Sequence, residues 1–181
     1  MRRQMRYALA ILTAICVALS GAMSRAAQPP ETLATSSPKP IALGTGPVSV
    51  TLAPAPSGNT APLSARVATA TKDRKVYLVL KSLAAKAPPE AVYQVYLGLP
   101  PGVTPKPDGI HYVGTVNFFN ATSPGGGKAD PRFYSFDVTD LVQALRARKS
   151  LGDTTTATIV PAGRPNPAAN PQIGEITLVA Q

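Results

Sequence analysis

The residues that could carry covalent or metal chemistry are few and scattered. The chain holds one Cys (Cys16), one His (His111), three Met (Met1, Met5 and Met23) and no Trp. A disulfide needs two thiols, and Cys-based zinc, iron–sulfur and blue-copper centres need soft ligands in sets. A zinc or copper centre would have to rest on His111 with carboxylates. Asp108, Asp130, Asp137 and Asp140 could complete a Ser-His-Asp arrangement, but no Gly-x-Ser-x-Gly nucleophile elbow accompanies them. Gly125-Gly126-Gly127-Lys128 imitates a phosphate loop, yet Ala129-Asp130-Pro131 follows where Ser or Thr should open a helix. That run reads as a flexible hairpin connection. Asn120-Ala121-Thr122 matches an N-glycosylation acceptor. His111 starts an apolar segment after a Pro-rich loop. With no second imidazole, it fits a strand-edge ring bonded to backbone better than a base or a ligand. The sequence therefore predicts a non-enzyme with no catalytic residue, no cofactor and no metal.

The elements that would position any site follow an export signal. Arg2, Arg3 and Arg6 precede an apolar centre from Tyr7 to Leu19, and Ser24-Arg25-Ala26 offers small residues for cleavage after Ala26. The apolar stretch from Tyr7 to Met23 is at the short limit for a spanning helix and is interrupted by Ser20 and Gly21. Ile15 stands before Cys16 where a lipoprotein signal wants a small residue, and Arg2-Arg3 lacks the rest of a twin-arginine motif. The expectation is a secreted or periplasmic protein, reaching a membrane only through an uncleaved signal segment. Cleavage would remove the Cys and every Met. Setting Arg2, Arg3, Arg6 and Arg25 aside also lowers the formal charge from +9 to +5, which weakens the case for nucleic acid as a partner.

Residues 27–47, rich in Pro, Ala, Ser and Thr without apolar periodicity, read as a flexible leader. Residues 48–181 then form one domain. Short apolar segments at 48–53, 65–70, 75–81, 92–99, 111–120, 133–138, 155–160 and 173–179 are separated by Pro- and Gly-rich breaks. Residues 139–148 differ: Leu141, Val142 and Leu145 make one helical stripe. Thr139 is placed to cap it, Asp140 suits its positive end, and Arg146 and Arg148 suit its negative end. The fold predicted is all-β with one short helix, an antiparallel β-sandwich of about seven or eight strands. The 75–81 strand, apolar on both faces, should be central, and the face of 173–179 bearing Glu175 and Thr177 should see solvent.

Without Tyr7, the nine remaining aromatic residues all fall between Tyr77 and Phe136. Tyr93, Phe118, Phe133 and Phe136 lie within strand patterns and are expected to fill the core. Phe118 and Phe119 are adjacent, so one of them must point outward.

The order of these segments resembles the C-terminal domain of polyphenol oxidases and tyrosinases. The resemblance rests on Val92-Tyr93-Gln94-Val95-Tyr96-Leu97-Gly98-Leu99-Pro100, Tyr112-Val113-Gly114-Thr115-Val116 with Phe118-Phe119, Phe136-Asp137-Val138-Thr139-Asp140-Leu141, Thr158-Ile159-Val160-Pro161 and Ile173-Gly174-Glu175-Ile176. It covers residues 75–181, and it departs from the family at Gly98, where Asn is common. It implies a β-sandwich that covers a binuclear copper site and keeps it latent. The catalytic domain of that family uses two sets of three His, so the resemblance implies a shielding or interaction module here, not an oxidase. A copper carrier would need a set of soft or imidazole ligands, of which the exported chain would keep only His111.

The expected partner is therefore a protein, and the resemblance implies a separately encoded type-3 copper oxidase. Contact is expected through loops at one end, residues 100–112 and 117–128, with His111, Tyr112 and Phe119 as partner-binding residues. The alternative reading, from the +5 balance and the clustered aromatics, is a cell-envelope or extracellular binding module for glycan or another anionic polymer.

Overall fold

Among the described residues the strands run from two to nine residues, and Pro, Gly or polar turns break the chain between most of them. The computed structural model describes residues 28–56, 60–119, 121 and 132–181. The export signal expected at 1–26, the N-glycosylation motif at Asn120 and the Gly-rich run lie outside the described residues.

The described strands are β1 (Glu31–Thr35), β2 (Ile41–Ala42), β3 (Val48–Pro54), β4 (Val76–Ala84), β5 (Val92–Leu97), β6 (Tyr112–Val116), β7 (Arg132–Asp137), β8 (Thr155–Ala162) and β9 (Gln172–Ala180). Two helices join them, α1 (Leu63–Ala70) and α2 (Thr139–Ala147). All pairings are antiparallel, in the order β6-β5-β8-β3-β1-β9-β4-β7, with β2 added beside β9. Two four-stranded sheets thus meet where β1 pairs with β3, and the outer strands β6 and β7 come round to face each other. The result is a nearly closed, all-β fold.

The closing seam is made by side chains. Tyr134 on β7 donates its hydroxyl to the Asn117 carbonyl at 3.2 Å and accepts the Asn117 N–H at 3.4 Å. The Phe136 ring lies flat over Gly114, where an added Cβ would stand 2.5 Å from it. Only glycine lets the two edges approach this closely.

Inside, Leu33, Leu52, Leu78, Leu80, Val95, Ile159, Ile176 and Leu178 are fully buried in one core. β4 alternates as expected, with Val76, Leu78 and Leu80 inward, and it lies between β9 and β7.

Four expectations require correction. First, residues 27–47 are not a flexible leader: β1 is the link between the two sheets, and Leu33 and Ala34 are both fully buried. A register shift between Thr32 and Ala34 turns two consecutive side chains inward, which erases the period-two signal. Second, residues 65–70 belong to a helix. Leu63, Arg66, Val67 and Ala70 form its buried face at helical spacing, and Pro62 sets its entry. Third, Thr177 is buried because β1 lies alongside it at Thr35, while Glu175 on the same face keeps solvent access and binds Lys81. Fourth, Phe133 is 68% exposed. Being three residues from Phe136, it falls on the opposite face of β7, and Tyr134 takes the inward place instead.

The strand directions give the molecule two unlike ends. Both helices and the 98–111 connection lie at one, here termed the helical pole. The connections at 85–91 and 163–171 and residues 117–119 lie at the other, the loop pole.

Candidate partner-binding surface

At the helical pole several polar groups fasten the helices to the strands, although the Thr155 hydroxyl is buried there without a partner among the described residues. Arg66 on α1 has a fully buried side chain that donates to the Thr32 carbonyl at 2.9 Å and the Ala55 carbonyl at 3.3 Å. Glu31 pairs with Arg74, so α1 is fastened to the first strand. Asp137, rather than the expected Thr139, caps α2: its Oδ1 accepts the Thr139 hydroxyl at 2.6 Å and the Thr139 N–H at 3.1 Å. Thr139 Oγ1 in turn accepts the Val76 N–H. These bonds from Thr139, joined by one from the Lys75 ammonium at 2.9 Å, hold the Asp137 carboxyl down at about 2. Lys75 is correspondingly raised by Asp137. Leu145 closes the pole from above, within 2.8 Å of where a Cβ on Gly98 would sit. Gly98 has φ +64, a left-handed conformation that Gly and Asn adopt most readily.

His111 and Tyr112 belong to this pole. The His111 ring contacts the Leu97 carbonyl through Nδ1 at 3.0 Å, and its own carbonyl accepts the Leu97 N–H at 2.9 Å. Tyr112 packs edge-on against Tyr96 at 5.6 Å, with its hydroxyl 2.8 Å from Thr115 Oγ1. Both residues therefore serve the β5–β6 hairpin. His111 is the only imidazole in the chain, so the residues present do not fit a type-3 copper pair, which takes six.

Phe119 lies elsewhere. Tyr112 opens β6 and Phe119 stands beyond its last residue, Val116, so the four steps of the strand alone put roughly 13 Å between them. The expected trio of His111, Tyr112 and Phe119 is thus not one site, and the loops at 100–112 and 117–128 leave β6 from opposite ends. Of the two adjacent rings, Phe118 is buried edge-on against Tyr93 at 5.5 Å, and Phe119 is 76% exposed. Asn117 Oδ1 accepts the Phe119 N–H at 3.1 Å and turns that ring outward.

Phe119 forms one wall of a cleft of about 450 Å³, lined also by Pro88, Pro89, Glu90, Ala91, Asn117 and Phe118. Its far wall is held from behind. The Asn166 N–H donates to the Pro89 carbonyl at 2.7 Å, and the Lys86 N–H donates to the Ala169 carbonyl at 2.7 Å. Pro88 and Pro89 carried no such signal in the sequence beyond that of a break. Their role depends on the 163–171 connection packing behind them, a contact between segments far apart in the chain.

The model of the family described as Domain of unknown function (DUF7868) matches residues 30–181. The chain belongs to that family. The DUF7868 match begins one residue before β1, in accord with the structural place of that strand. No curated protein matches the sequence. Among solved structures, latent apple tyrosinase is similar at 19% identity and a TM-score of 0.51, covering 78% of this chain and 27% of that one. A recombinant latent aurone synthase (polyphenol oxidase), co-crystallised with hexatungstotellurate(VI), is similar at 17% identity and a TM-score of 0.51, covering 80% of this chain and 25% of that one. The DUF7868 chain spans about a quarter of the length of these proteins. The likeness is one of fold, to a module like the C-terminal domain of polyphenol oxidases and tyrosinases. No helix among the described residues is long and apolar enough to cross a membrane.

Proposed function

We propose that this protein is a secreted, non-catalytic interaction module that covers a separately encoded type-3 copper oxidase and lowers its activity. The observation that carries the reading is the fold itself: a nearly closed β unit, similar to a part that makes up about a quarter of solved oxidases described as latent. A single histidine in the chain supports a covering role over a catalytic one. Fold alone is weaker ground than a site, so the reading is tied to a direct test. Co-expression with a tyrosinase-like oxidase encoded nearby should give a complex on co-purification and slower diphenol oxidation than the oxidase alone. No complex and unchanged oxidase activity would sink it. Secretion is tested separately by locating the mature protein and sequencing its N-terminus, expected at Ala27.

A further inference from the structure

We infer that the loop pole is the docking face, and that what it receives is a projection of a partner protein carrying an apolar side chain flanked by carboxylates. The inference rests on the reading of the protein as a partner-binding module and adds which face binds and what chemistry it selects.

The cleft beside Phe119 is apolar in its walls and large enough for one bulky side chain. Its parts are fixed before anything binds. The Phe118 ring is locked against Tyr93, Asn117 sets the direction of Phe119, and two prolines whose φ is restricted form the opposite wall. Glu90, next to them, is held at φ +61, a conformation uncommon for a non-glycine residue. Ser82 and Asn170, also left-handed, lie at the same pole. Preformed walls lower the ordering cost of association, and an aromatic side chain at a cleft is the usual anchor of a binding hot spot.

The charge at the loop pole, outside the cleft lining, selects the occupant. Lys86, Arg132 and Arg164 are exposed, and none forms an ion pair with another described residue. Lys86 and Arg164 lie within two residues of the backbone bonds that hold the Pro88-Pro89 wall, and Arg132 opens β7 one residue before exposed Phe133. Glu90 is the carboxylate in the cleft lining. A partner bearing Asp or Glu around an aromatic or aliphatic residue meets both features at once: the cations steer it and the cleft holds it. A polyanionic glycan would answer the cations and leave the apolar walls unfilled.

The test uses the full chain as bait for a random-peptide display library, with a polygalacturonate column in parallel. Enriched peptides should carry an aromatic or aliphatic residue flanked by Asp or Glu, and their binding should weaken with salt. Binding should fall at least about tenfold in Phe119→Ala and in the double variant Lys86→Glu with Arg132→Glu, each checked for an unchanged melting transition. No enrichment, enrichment of neutral or basic peptides, or binding retained by both variants would overturn the inference. Retention on polygalacturonate that these variants abolish, without peptide enrichment, would overturn it in favour of a glycan. Suppression of the oxidase that survives both variants refutes the face and leaves the shielding function standing. Peptide selectivity without any effect on an oxidase upholds the face and removes the oxidase.

Discussion

The two poles of the same β unit are built to different ends. At the helical pole, Arg66 is buried among carbonyls, Glu31 meets Arg74, Lys75 meets Asp137 and Leu145 sits on Gly98. Val103 and Ile110 are half-exposed on its long connection, but no aromatic ring is left in water there. At the loop pole, Phe119 and Phe133 are largely exposed. Each pole has a hydroxyl buried without a partner among the described residues, Tyr93 here and Thr155 at the helical pole. Each also carries exposed cations outside ion pairs among the described residues, Lys86, Arg132 and Arg164 here and Arg146, Arg148 and Lys149 there. Of the four non-glycine residues with positive φ among the described residues, Ser82, Glu90 and Asn170 belong to the loop pole, and Lys149 follows α2. What differs is that the exposed Phe119 ring lines a cleft at one end, whereas at the other the helices are fastened to the strands by ion pairs and buried carbonyl bonds. This marks where binding is to be sought and where stability is concentrated.

The largest test attacks what both poles share. Leu33 is fully buried on the strand that joins the two sheets, so Leu33→Asp places a carboxylate in the core and should abolish the cooperative thermal transition. A cooperative transition near that of the wild type would mean that β1 is dispensable. Leu145→Ala comes next and sharpens the contrast. It opens a cavity between α2 and the β5–β6 turn and should cost about 3 kcal/mol in denaturant unfolding, whereas truncations of exposed side chains at the loop pole should cost far less.

What the sequence made legible follows the same division. The strands from β3 to β9 were visible because Pro and Gly bracket them, and α2 was visible through Leu141, Val142 and Leu145. Arg66 was missed as an organising residue because its partners, Thr32 and Ala55, belong to other elements and offer only carbonyls. β1 was missed because a bulge places Leu33 and Ala34 on the same side. The outward turn of one of the Phe118-Phe119 pair was legible from adjacency alone. Its separation from His111 and Tyr112 was equally legible, since a strand between two loops sends them to opposite ends, but shared membership of one ordered motif run concealed it.

A smaller effect distinguishes the poles by pH. Asp137→Ala removes the cap on α2 and the partner of Lys75 and should cost about 1 kcal/mol at pH 7. Because the folded carboxyl is held at about 2 against an unfolded value of about 3.9, its contribution is complete above pH 4 and is lost as pH falls through about 2. The group is exposed, so solvent screening keeps this part modest. The difference in melting temperature between wild type and Asp137→Asn should therefore shrink on acidification across that window. A difference that grows toward pH 2 would show that the carboxylate is not what holds the cap.

The smallest stability effect is the most discriminating. Phe119 is fixed through its backbone by Asn117, and its ring stands 76% in water, so Phe119→Ala gives up little burial and should shift unfolding by less than about 0.5 kcal/mol. Phe118→Ala, one residue away, removes a buried ring from Tyr93 and should cost about 3 kcal/mol. If the Phe119 ring were simply part of the packing, the two truncations would destabilise alike, and the loop pole would be one more end of the core. If Phe119→Ala instead leaves the transition in place while abolishing binding at the cleft, stability and recognition reside on adjacent residues facing opposite ways. The distinction between the poles then reduces to the one peptide unit between Phe118 and Phe119.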